Sequence, residues 1–139
     1  MQTILFVDDD PFWSQVYREE LGKKFALVYK SSADGAIAEL TTNEAINLLV
    51  LDVMMNTPES VDLTDTEGGL MTGVWILSKM RPMLLHRKLP IIMLTNRQKS
   101  IVIDAVVGLS YPEQQIVVFS KTEMQAKKLP SEIERRLGR

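Results

Sequence analysis

Five short apolar runs rich in β-branched residues recur along the chain, at Thr3 to Val7, Phe25 to Tyr29, Ile46 to Leu51, Ile91 to Leu94 and Ile116 to Phe119, and stretches with helical spacing separate them. Most of the runs are apolar at successive positions rather than alternate ones, the pattern of strands covered on both faces by helices. A parallel strand needs a helix-length return across a face of the sheet, and that return is right-handed. The alternation therefore predicts an α/β fold, a doubly wound parallel five-stranded sheet with helices on both faces. In such sheets the ligand site lies outside the carboxyl ends of the strands.

The helices between the runs can be placed from their caps and spacing. In the first, Asp10 is suited to the cap and Pro11 to the first helical position, Trp13, Val16, Tyr17 and Leu21 share one face, and Gly22 ends it. The second spans about 33–42 behind Ser32, burying Ala33, Ala36, Ile37 and Leu40. A third covers about 70–80 with Met71, Val74, Trp75, Leu77 and Ser78, and a fourth about 100–109 with Ile101, Val102, Ala105, Val106 and Leu109. The last occupies about 122–137, with a kink or restart at Pro130, which lacks a donor and crowds the preceding turn. Residues 54–69 form a long acidic loop carrying Glu59, Asp62, Asp65 and Glu67. A loop of that length inside a compact domain is usually functional or mobile.

Composition removes several function classes. A chain of 139 residues suits one domain, so 1–139 is read as a single unit with no output domain. The net charge of −2 offers no cationic field for a polyanion, and nucleic-acid binding is not expected. The lack of cysteine excludes disulfides, thiolate metal sites and a cysteine nucleophile, which suits a reducing cytoplasmic setting. No apolar run approaches the roughly 20 residues of a membrane span.

Asp8, Asp9 and Asp10 follow the first strand, Asp52 the third, Thr95 ends the fourth and Lys121 comes just after the fifth. The predicted fold thus gathers carboxylates, a hydroxyl and an ammonium on one rim. Clustered carboxylates repel one another unless a cation neutralises them, and Mg²⁺, which takes oxygen ligands, fits best. Asp52 can then act as a nucleophile toward a phosphoryl group, with Lys121 offsetting its charge and Thr95 reaching a phosphoryl oxygen as a local switch. Asp10 is read as a helix cap, Trp13 and Trp75 as packing against the sheet, and His86, the sole histidine, as an exposed residue of the connection before the fourth strand.

The stretches "ILFVDDDP", "LLVLDVMM", "IIMLTN" and "VVFSKT" resemble the CheY-like receiver domains of two-component response regulators, over nearly the whole chain. The resemblance implies a flavodoxin-like (βα)5 fold with strand order 2-1-3-4-5. It makes Asp8 and Asp9 the Mg²⁺ pair and Asp52 the phosphoacceptor, with Thr95 and Lys121 reading the phosphorylated state and the Met54 backbone carbonyl as a further metal ligand. It implies a sensor histidine kinase or phosphotransfer protein as donor, an unidentified protein target, and a monomer or phosphorylation-dependent homodimer in the cytoplasm, itself not an enzyme. Four features depart from the family pattern: Thr122 stands where proline is common, Val118 where an aromatic switch residue is usual, Asn96 where a small residue is usual, and the loop after Asp52 is longer. They favour, as an alternative, a receiver-like interaction module that works without phosphate. An aspartyl-phosphate phosphatase lacks its second acid, since position 54 is Met, and an FMN-binding flavodoxin would need a phosphate-cradling loop where this chain is acidic.

Overall fold

The computed structural model describes residues 1–138. Strands β1 (Thr3–Val7), β2 (Ala26–Lys30), β3 (Ile46–Asp52), β4 (Ile91–Thr95) and β5 (Ile116–Ser120) form one parallel sheet in the order β2-β1-β3-β4-β5. The central strands β1, β3 and β4 are almost wholly buried, which is why their sequences are apolar at consecutive positions. Successive residues point to opposite faces and build two cores. Leu5, Val7, Leu49, Leu51, Ile91 and Met93 pack on one side, and Ile4, Phe6, Leu48, Val50, Ile92 and Leu94 on the other.

Helices α1 (Gln15–Gly22) and α6 (Leu129–Arg136) cover the second core through Tyr17, Leu21, Leu129 and Ile133. Helices α2 (Ala33–Thr42), α3 (Thr72–Lys79), α4 (Arg81–Arg87) and α5 (Lys99–Val107) cover the first. The expected second helix is observed with its cap, the Ser32 hydroxyl accepting from the Gly35 N–H at 3.0 Å.

Other boundaries differ from expectation for identifiable reasons. Asp10 does cap a turn, its Oδ1 accepting from the N–H groups of Phe12 and Trp13, but regular helix begins only at Gln15, and Val16 faces solvent. The segment before β4, read as a connection, is helical. Pro82 has no N–H to give the Ser78 carbonyl, so the helix breaks at Met80 and restarts as α4, placing exposed His86 in its last turn. On α3 it is Ile76, with Leu77, that is fully buried, whereas Ser78 is exposed. The last helix begins only at Leu129, with Pro130 in its first turn, so the expected helix from about 122 is absent over residues 122–128 and there is no kink or restart. On α5, only Val102 is fully buried, and Ile101 is exposed.

One close approach fixes α3 against the sheet end. A Cβ at Gly73 would lie 2.4 Å from the Asp52 carbonyl oxygen and 2.9 Å from the Val53 Cα, both backbone atoms. The Gly73 N–H donates to the Val53 carbonyl at 2.9 Å. Gly73→Ala is expected to destabilise the fold by about 1–3 kcal/mol, the range for overpacking a core. Gly22→Ala, where the added methyl meets nothing within 4 Å, should instead stabilise by roughly 0.5–1 kcal/mol. Denaturant melts of the two variants check the contrast.

Candidate functional site

The sheet ladder runs past the strand ends and carries the polar residues with it. Asp8 donates its N–H to the Lys30 carbonyl at 3.1 Å, Val53 to Leu94 at 3.2 Å, and Lys121 to Thr95 at 2.9 Å. Asp8 and Lys121 therefore sit just beyond the ends of β1 and β5 and Asp52 at the end of β3, all at one edge of the sheet, and the Tyr29 hydroxyl fixes the Asp8 carbonyl from β2 at 2.7 Å.

Asp8 and Asp52 are buried, at 2% and 4% exposure, and Asp9 is half-buried; each offers an oxygen within 4.8 Å of the others'. The Lys121 Nζ lies 3.1 Å from Asp52 Oδ1 and 3.5 Å from Asp8 Oδ2. Its approach to Asp52 Oδ1 is an ion-pair contact outside hydrogen-bond geometry, so that buried oxygen accepts no hydrogen bond. The other oxygen of Asp8 accepts from the Asp10 N–H at 2.8 Å. A cavity of about 380 Å³ opens over these groups, walled by Asp8, Asp9, Asp52, Met54, Asn96 and Lys121 and by Gly69 and Leu70 of the long loop.

Burial pushes the Asp52 carboxyl up to about 7; the Lys121 ammonium pulls it back down, and the Asp8 charge raises it further. Burial also raises Asp8, against the opposing hydrogen bond from Asp10 and the charge of Lys121. The donor set consists of hard oxygens, with neither sulfur nor imidazole, and one buried carboxylate oxygen accepts no hydrogen bond and meets only the Lys121 ammonium. That combination fits a hard divalent cation such as Mg²⁺ held by Asp8, Asp9 and Asp52.

Thr95 is placed differently. It ends β4 and is buried, but its hydroxyl faces Arg97, accepting from the Arg97 N–H at 2.8 Å and donating to the Arg97 carbonyl at 3.3 Å. It is not part of the cavity wall. Val118 is buried on the α5 side, and Phe119 packs in the opposite core, as alternation along a strand requires. The Lys121–Thr122 peptide bond is trans.

Two features were not foreseen. Trp13 packs at the edge of the second core, as expected, but its ring also lines the cavity, with its centroid 4.0 Å from the Lys121 Nζ. Its i, i+4 relation to Tyr17 reads as a helix face; only the folded β5 end reveals the lysine beneath it. The long loop is also ordered from within. The Thr57 and Thr66 hydroxyls meet at 2.6 Å, Asp62 caps a short 3₁₀ turn at Leu63–Thr66, and Glu67 pairs with Arg97 at 3.3 Å. Its four acidic side chains are exposed and stand apart from the carboxylate trio.

This architecture recurs in solved structures. A CheY-like response regulator receiver domain protein from Methanospirillum hungatei JF-1 superposes with a TM-score of 0.73 at 20% identity, over 99% of this chain and 94% of that one. A response regulator receiver protein from Sinorhizobium medicae WSM419 gives 0.72 at 19% identity, over 98% and 94% of the two chains. The BeF3-activated DrrB receiver domain gives 0.69 at 20% identity, over 100% and 99%. The chain has the receiver-domain fold. No family model matches the sequence, and no curated protein is similar to it by sequence. At these identities the likeness concerns backbone architecture, and the chemistry of this receiver fold rests on its own rim. No described helix is long and apolar enough to cross a membrane.

The raised carboxyls carry a pH dependence. The folded chain holds the Asp52 proton up to about pH 7, whereas the unfolded chain releases it near its ordinary value of 3.8. Folded protein thus binds more protons between those limits, and without a divalent cation its stability falls as pH rises from about 4 to about 7, by up to about 4 kcal/mol, and levels off above. The raised Asp8 acts with the same sign. Asp52→Asn should flatten the profile, as read by thermal melts in chelator across that range. A flat parent profile would contradict the assigned burial.

Proposed function

We propose that the chain is a phosphoacceptor receiver of two-component signal transduction, in which Asp52 takes a phosphoryl group from phosphohistidine on a sensor histidine kinase or phosphotransfer protein. Asp52 carries the reading. It is a carboxylate at 4% exposure with an oxygen that accepts no hydrogen bond, an ammonium 3.1 Å away and an open cavity beside it. A carboxylate kept for structure alone is ordinarily hydrogen-bonded when buried.

In the reaction, an Asp52 oxygen attacks phosphorus. The P–O bond forms as the P–N bond to the donor imidazole breaks, and its electron pair returns to the imidazole nitrogen. Asp8, Asp9, Asp52 and the Met54 carbonyl would hold Mg²⁺, which when bound would supply positive charge against the phosphoryl oxygens. Lys121 adds a second cation from the β5 side. The Thr95 hydroxyl, held by Arg97 in the resting state, then turns to donate to a phosphoryl oxygen. That turn frees the Arg97 backbone at the start of α5, shifting the surface of β4, α5 and β5 that engages a protein target.

A second reading, an interaction module independent of phosphate, is favoured by two observations: the Thr95 hydroxyl already has partners, and Val118 leaves no aromatic side chain to follow it. Incubation with a small acyl-phosphate donor and Mg²⁺, followed by intact-mass analysis, separates the two. Phosphorylation adds one phosphoryl group, absent in Asp52→Asn and formed roughly 10²-fold more slowly in Lys121→Met. A parent protein that takes no phosphoryl group from several acyl-phosphate and phosphoramidate donors leaves the second reading standing.

A further inference from the structure

Lys121 is held from three sides. Two are the carboxylates of Asp8 and Asp52, at 3.5 and 3.1 Å; the third is the face of the Trp13 indole, with its centroid at 4.0 Å. The lysine side chain is 9% exposed, so the ring acts on an ammonium largely stripped of water, where a cation–π contact is strongest. Trp13 is itself placed by two anchors. Its backbone N–H donates to Asp10 Oδ1 at 3.0 Å, in the turn that carries the acidic residues. Its ring leans on Tyr17, 4.8 Å between centroids, and the Tyr17 hydroxyl donates to the Met124 carbonyl at 2.6 Å, three residues beyond Lys121. The loop after β1 and the loop after β5 are thus tied together around the lysine.

We propose that Trp13 is a positioning residue that keeps the Lys121 ammonium aimed into the cavity when the carboxylate charge is taken up by a divalent cation. This rests on the phosphoacceptor reading and deepens it. The three carboxylates carry three negative charges when ionised, and Lys121 offsets one. A divalent cation shared by the same oxygens offsets the other two, and it repels the lysine. At that stage the attraction holding Lys121 inward weakens, and an ammonium on a four-carbon stem gains by swinging into water. The indole face is a partner that a cation on the carboxylates does not claim. It keeps the ammonium at hand for the incoming phosphoryl group.

The test uses Trp13→Phe, which keeps a π face, Trp13→Leu, which keeps apolar bulk without one, and the Lys121→Met background. Thermal melts identify any variant that is not folded at the assay temperature. Phosphorylation by an acyl-phosphate donor at saturating Mg²⁺ is expected to slow about tenfold in Trp13→Leu and less than threefold in Trp13→Phe, in the range of a desolvated cation–π contact. In Lys121→Met, the Trp13→Leu change should add nothing. Equal slowing with and without Lys121 means that the ring only packs, and overturns the proposal. A second readout needs no phosphoryl transfer. The ring current of Trp13 should move the Lys121 Hε protons upfield relative to exposed Lys127, with and without Mg²⁺, and the shift should vanish in Trp13→Leu. Loss of that upfield shift when Mg²⁺ is added to the parent overturns the clamp even if phosphorylation proceeds. A parent that takes no phosphoryl group but keeps the shift defeats the phosphoacceptor reading and leaves the clamp intact.

Discussion

Placing two carboxylates side by side with almost no exposure is electrostatically expensive, and much of the rim is organised around containing that conflict. Asp8 directly follows β1 and Asp52 ends the neighbouring β3, so the sheet register leaves them no freedom to separate. Lys121 bonds to the last residue of β4 through its backbone and reaches both carboxylates with its side chain. One cation against three anions is insufficient. Burial first, and the neighbouring Asp8 charge after it, raise the Asp52 carboxyl, and a hard divalent ion stabilises the charged form against both. Sheet geometry, proton affinity and cation binding are thus a single problem seen from three sides.

The region between Thr95 and Glu67 adds a link of another kind. Both the N–H and the carbonyl of Arg97 engage the Thr95 hydroxyl, while its guanidinium pairs with Glu67 in the long loop. The pair is largely exposed on the glutamate side and contributes little stability by itself. Its interest is positional. Any rotation of the Thr95 hydroxyl acts first on the residue that joins the α5 start to the loop over the cavity, so the buried end of β4 and the exposed loop share one hinge. Val118, compact and buried, leaves that route without an aromatic relay through β5.

What the sequence disclosed and what it concealed divide along a physical line. Strand runs buried on both faces announce themselves, and residues just beyond their ends, such as Asp8, Asp52 and Lys121, follow directly from parallel topology. Boundaries set by one missing N–H were harder to read. Pro130 reads as a break inside a longer helix but stands in the first turn of α6, and Pro82, in the first turn of α4, gives no sign in the sequence of the helix that it opens. Side-chain direction lay further out of reach. Nothing local shows that the Thr95 hydroxyl turns to Arg97, since its choice depends on which acceptors the following turn brings close. Trp13 looked like a core residue because its helical spacing to Tyr17 is real; its contact with Lys121 spans more than a hundred residues and exists only once β1 and β5 lie at one rim.

The loop between Asp52 and α3 closes on itself before it reaches the helix. The Met55 N–H donates to the Gly69 carbonyl at 3.1 Å, and the Thr72 hydroxyl donates to the Met55 carbonyl at 2.7 Å. Gly69, at a φ of 95°, allows the approach, since a Cβ there would lie 2.8 Å from the Met55 oxygen. The ends of the segment are therefore stapled together, and the sheet meets the same two backbone positions whatever number of residues lies between them. Loop-closure entropy grows only slowly with length, so this neck turns residues 56–68 into an insertion port. Segments grafted at exposed Glu59 and Ser60 would hang beside the acidic cavity without lengthening any path through the core. A chain built this way can acquire new partners at its reactive rim by changing the loop alone.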